Sequence, residues 1–135
     1  MNDTKFDHDK IIQYWLKSSD EDFETMMILF KSNKFTWSLF IGHLMIEKLL
    51  KAYFVKTKNS FPPYIHNLLR LAGLSDLKLT SEQRISLATI TAFNINARYD
   101  DYKNSFYKKC TSQFTAEWID KLKELRGWIK SQINI

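Results

Sequence analysis

Seven consecutive residues, Asn96, Ala97, Arg98, Tyr99, Asp100, Asp101 and Tyr102, put an arginine and two acids among aromatics where an apolar helical stretch over 85–95 is about to end. A guanidinium offers a flat fork of donors that matches phosphate or carboxylate. Tyrosine rings beside it can stack on a base. Downstream, Lys103, Lys108 and Lys109 alternate with Tyr102, Phe106 and Tyr107, a mixture of cation and ring that suits single-stranded nucleic acid. Ordinary loop packing accounts for the same residues, and Asp100 and Asp101 cancel part of the charge. The candidates for nucleotide or RNA binding are therefore Arg98, Tyr99, Asp101, Tyr102 and Lys103. His66 joins them as a side chain able to serve as acid or base near neutral pH.

His43 and Glu47 stand four residues apart and so share one helix face. A zinc-type site would need further ligands, and neither His8 nor His66 supplies a second paired motif, so no metal is expected. Glu47 also precedes Lys51 by four residues, a favourable pair on an exposed face. On a core face the carboxylate would need a cation, because an unpaired buried charge is very costly. Arg98 is the candidate, giving an expected Glu47–Arg98 latch. No glycine-rich phosphate loop and no legible Ser/His/Asp arrangement is present, and no cofactor is implied.

Helices must position these groups. Residues 9–32 carry apolar side chains at helical spacing (Ile12, Trp15, Leu16, Phe23, Met26, Met27, Phe30) with Asp20, Glu21, Asp22 and Glu24 largely opposite. Asn33 marks a turn. Residues 35–57 are apolar on more than one side, which predicts a central helix. Pro62 and Pro63 cannot extend it. A short helix is expected over 65–72, with His66 in its first turn and Gly73 as a left-handed cap. Thr80 and Gln83 have capping-box spacing and open a helix through Ile95. Residues 99–111 read as a polar–aromatic connection, and 114–133 as the last helix, with Trp118, Ile119, Leu122, Leu125 and Ile129 on one face. The expected architecture is all-α: an up-and-down bundle of four to five helices in a single domain spanning 1–135.

The chain has 135 residues, 44% of them hydrophobic and only three glycines and two prolines, a mix that favours a packed helical core over disorder. Its net charge of +5 sits mainly in the second half, where residues 68–135 hold 11 basic and 7 acidic side chains. That balance permits a polyanionic partner without requiring one. A single cysteine, Cys110, excludes an internal disulfide and a cysteine-based zinc site. The first residues lack the apolar core of a secretory leader, and the longest apolar run is too interrupted to span a membrane. A cytoplasmic location without membrane contact is expected.

Taken in order, Glu47 and Lys48 with Lys51 and Ala52, then Pro62 and Pro63 with His66, Asn67 and Leu68, then Asn96, Ala97, Arg98, Tyr99 and Asp101, resemble the HEPN family (higher eukaryotes and prokaryotes nucleotide-binding). The last group resembles the Asn-Ala-Arg-Tyr-Pro-Asp form of many bacterial and archaeal members, with Asp100 in place of the proline. The likeness covers about residues 10–133. Many HEPN proteins are metal-independent ribonucleases that carry an arginine, four to six residues, then a histidine. Here Arg98 is followed at those positions by Lys103, Asn104 and Ser105, and Arg70, Arg84 and Arg126 also lack a histidine in register. Without that base, acid–base cleavage of RNA fails. Members lacking it are commonly encoded beside a minimal nucleotidyltransferase in toxin–antitoxin-like pairs. The resemblance thus implies a non-catalytic, homodimeric binding module for nucleotide or RNA, with a nucleotidyltransferase partner. A ribonuclease with a degenerate site, using Arg98 and His66, is the alternative.

Overall fold

In a computed structural model that describes residues 6–134, six helices run in sequence: α1 (His8–Lys31), α2 (Phe35–Lys58), α3 (Leu68–Leu74), α4 (Ser81–Arg98), α5 (Asp100–Lys109) and α6 (Ser112–Ile133). No strand occurs among the described residues. The helix count exceeds the expected four to five because residues 99–111 are not a connection. They fold mostly as α5, a helix whose pattern is too polar to announce itself. It is anchored by one buried ring, Phe106, packed 5.5 Å from Phe93.

α2 is the axis. It is buried on several sides and packs against every other helix of the bundle. Leu39, Met45, Ile46, Leu49, Leu50, Ala52 and Val55 are sealed from solvent along it. α1 runs antiparallel to α2, joined through a turn at Asn33, whose φ of 61° is the left-handed geometry asparagine tolerates. Two buried serines tie these helices together: the Ser38 hydroxyl donates to the Met26 carbonyl at 2.8 Å, and Ser19 to Met45 at 3.0 Å. Such bonds satisfy hydroxyls that would otherwise be costly to bury. At Gly42 the backbone of α2 comes so close to its neighbours that a Cβ would lie 2.6 Å from Leu122 Cδ1 on α6 and 3.1 Å from Met26 Sδ on α1.

Helix ends follow local chemistry, with two departures from the sequence pattern. Thr80 and Gln83 form the reciprocal capping box. Thr111 caps α6, and Asp7 caps α1. His66, however, lies before α3 rather than in its first turn. Asn67 is the cap, its side chain accepting from the Arg70 amide at 3.1 Å, and an asparagine there outcompetes a histidine for the free amides. Gly73 does not end that helix in a left-handed conformation either. The helix runs on to Leu74, and Asp76, at φ 59°, makes the reversal.

Leu122 fills the notch above Gly42 and is fully buried. Leu122→Ala should lower unfolding free energy by about 2–5 kcal/mol, read from urea denaturation followed by circular dichroism.

Candidate functional site

The site is organised by a carboxylate inside the bundle. Glu47 sits midway along α2 and is only 4% exposed, so its charge has to be met by protein donors. Two do so. Lys51, one turn on, places its ammonium 2.9 Å from Oε2, and His66 places Nδ1 2.9 Å from Oε1. Lys51 is itself buried, its ammonium lying 5.0 Å from the centre of the Trp15 ring of α1. Burial pushes the Glu47 carboxyl up, but the hydrogen bonds from His66 and Lys51 outweigh it and hold the group below the usual carboxylate range.

His43, one turn before Glu47, is fully buried. Its Nε2 lies 3.0 Å from the His66 backbone carbonyl, to which it donates, and 3.8 Å from Glu47 Oε1. Its other ring nitrogen has no hydrogen-bond partner. Burial lowers the His43 pKa more than the His66 carbonyl and Glu47 raise it, and the nearby His66 ring and Arg98 charge depress it further. A neutral imidazole with one donated proton is the consistent state. His66 is thus held twice, through its carbonyl by His43 and through its ring by Glu47, while its side chain remains 64% exposed.

Arg98, in the last turn of α4, is exposed. Its Nε donates to the Asn94 carbonyl at 3.1 Å, and its guanidinium rests 5.9 Å from the Phe40 ring and 5.6 Å from the Tyr99 ring. Tyr99 is extended between α4 and α5, and more than half of its surface is open. Arg98 and His66 therefore both act on His43, the first through its charge and the second through a hydrogen bond to its backbone carbonyl. Asp101 and Tyr102 are exposed in the first turn of α5. Lys103 faces a hollow of about 220 Å³ shared with Thr36, Trp37, Ala97, Phe106 and Tyr107.

The expected Glu47–Arg98 latch does not form. Lys51 and His66 occupy the two carboxylate oxygens, and Arg98 sits on aromatic rings at the surface instead. Lys51 was legible as a partner from its spacing, but as an exposed pair; that it turns inward beside Trp15 depends on how α1 packs. The His43–His66 contact joins residues 23 apart and carried no sequence signal. Among the described residues, no group of three or more His, Cys, Asp and Glu side chains is arranged to hold a metal ion, and no helix is long and apolar enough to cross a membrane.

The family model of the HEPN domain matches residues 12–132, so the chain belongs to the HEPN family, and its six-helix bundle is an all-α HEPN-like fold. This places it broadly among nucleotide- or RNA-related modules. Neither a curated protein nor a solved structure matches the chain.

The two ends of the failed latch should respond differently. Glu47→Ala leaves a buried ammonium without its anion and should cost about 3–5 kcal/mol. Arg98→Ala should unfold at nearly the parent's urea midpoint.

Acid should weaken the fold in two stages. His43 has a folded pKa below its usual 6.5, so the unfolded chain binds the extra proton first and stability drops as pH falls below 6.5. Glu47 is also depressed, from 4.5, so the stability it contributes is present above that value and is lost as pH falls through the folded pKa. Urea midpoints measured down the pH scale should show both losses, with the first diminished in His43→Gln.

Proposed function

We propose that this protein is a homodimeric HEPN module that binds nucleotide or RNA without cutting it, and acts with a minimal nucleotidyltransferase in a two-component system of the toxin–antitoxin kind. The observation that carries the binding reading is the placement of Arg98. An exposed guanidinium lies on two rings, one of them the open Tyr99, and its charge reaches His43, the buried histidine that holds the His66 carbonyl. Phosphate suits the guanidinium, a base suits the face of Tyr99 or Tyr102, and His66 offers a further polar contact. Lys103 on α5 adds to the positive field.

The non-catalytic half rests on the histidine missing after every arginine. Exposed apolar residues on the first two helices, Tyr14, Ile28 and Trp37, favour a covered face in solution, and a two-fold contact would bring two Arg98 sites into one assembly. The nucleotidyltransferase comes from family likeness, and a neighbouring reading frame for such an enzyme would support it.

A ribonuclease is the second reading, and one contact favours it. The Glu47–His66 hydrogen bond orients an exposed imidazole as a carboxylate orients a general base.

Titration of a labelled single-stranded RNA into metal-free protein tests both readings. Uncut RNA should bind, and Arg98→Ala should weaken it roughly ten- to a hundredfold, the range for hydrogen bonds to a charged group. Sedimentation of the same sample should give a dimer. Cleavage that survives repurification and vanishes in Arg98→Ala or His66→Ala would replace the first reading with the second. A monomer would remove the dimer.

A further inference from the structure

The hydrogen bond between Glu47 and His66 decides which nitrogen of His66 carries the proton. An ionised carboxylate only accepts, so the Nδ1 facing Oε1 at 2.9 Å must be the N–H. In the neutral ring Nε2 is then a bare lone pair, on a side chain that is 64% exposed. The ring cannot readily turn away. Its backbone carbonyl is held by buried His43, and Oε1 is presented by a carboxylate whose other oxygen is tied to Lys51. The site therefore shows a ligand a fixed acceptor, and the Arg98 cation, whose charge reaches His43, has the Tyr99 ring against it. A ligand that answers all three groups must carry a hydrogen-bond donor, an anion and an aromatic face. A ribonucleotide unit has them; a deoxyribonucleotide lacks the 2′-hydroxyl.

We propose that His66, its tautomer set by Glu47, accepts a hydrogen bond from the ribose 2′-hydroxyl, so that the site selects ribonucleotides over deoxyribonucleotides. This rests on the nucleotide- or RNA-binding reading above. In it Glu47 is a positioning residue and His66 the one that reads the sugar.

Lys51 makes the positioning role testable. Its ammonium only donates, so in Glu47→Gln the amide oxygen turns to Lys51 and the amide nitrogen faces His66. Nδ1 must then accept, which moves the ring proton to Nε2. The acceptor becomes a donor without deletion of the ring.

The experiment is an anisotropy titration with three labelled strands of one sequence: single-stranded RNA, its deoxy counterpart, and its 2′-fluoro counterpart, which cannot donate. The parent should bind RNA more tightly than either of the others by roughly three- to tenfold for one contacted hydroxyl. His66→Ala, at an exposed position, should bind all three alike. Glu47→Gln should also lose the preference, and nitrogen-15 spectra of its imidazole should show the proton on Nε2, against Nδ1 in the parent. Equal binding of RNA and the 2′-fluoro strand by the parent overturns the inference and leaves the binding reading in place. A preference that survives in His66→Ala, or a parent His66 protonated on Nε2, overturns it as well. Failure to bind any strand overturns both.

Discussion

A single negative charge, the Glu47 carboxylate, constrains much of this molecule. A carboxylate removed from water has to be met by donors at close range, and here each oxygen takes one: the Lys51 ammonium from the same helix and the His66 ring from the segment beyond Pro62 and Pro63. The first contact fixes the axial face of α2 that turns inward. The second pins the approach to α3, which would otherwise be held by few buried groups. His43 adds a tether to the same residue through its backbone. A network of this kind is costly if left partly satisfied, and that cost ties the polar chemistry to the packing around it.

The helix that bears the carboxylate is also the one on which all others rest. Gly42 lets α1 and α6 approach α2 more closely than any side chain would permit, and the buried serines Ser19 and Ser38 close the α1–α2 seam. This closeness brings Trp15 over the Lys51 ammonium. α4 also packs on α2, and the extended residue Tyr99 ends it so that Arg98 emerges at the surface over the Phe40 ring. The polar cluster is thus assembled from α1, α2, the segment before α3, and α4.

Burial divides the cluster into two kinds of residue. His43, Glu47 and Lys51 are inside and cannot meet a ligand directly, whereas His66, Arg98 and Tyr99 are open. The buried group holds the His66 ring and backbone in place, and the exposed group faces solvent. The same division serves binding or proton transfer. Membership of the HEPN family places the chain broadly among nucleotide- or RNA-related modules, and the Arg98 surface is where its cluster shows solvent a charge and a ring together.

Local pattern determined the all-α class, the central place of α2 and the start of α4, because these depend on contacts within a few residues: apolar spacing for α2, and Thr80 with Gln83 for the cap. The motif residues Glu47, His66 and Arg98 were legible by type and order. Their partnerships were not. Whether Glu47 met Arg98 or Lys51 turned on which face of α2 was buried and how far α1 approached, and a one-dimensional pattern carries no such distance. α5 escaped for a related reason, since one buried ring, Phe106, is too little to make a helical period. His66 moved out of α3 because Asn67 satisfies the free amides better, a local competition that the sequence contained and spacing did not rank. The tertiary structure decided where the charges ended up, because only packing sets which polar groups lose water and must find one another.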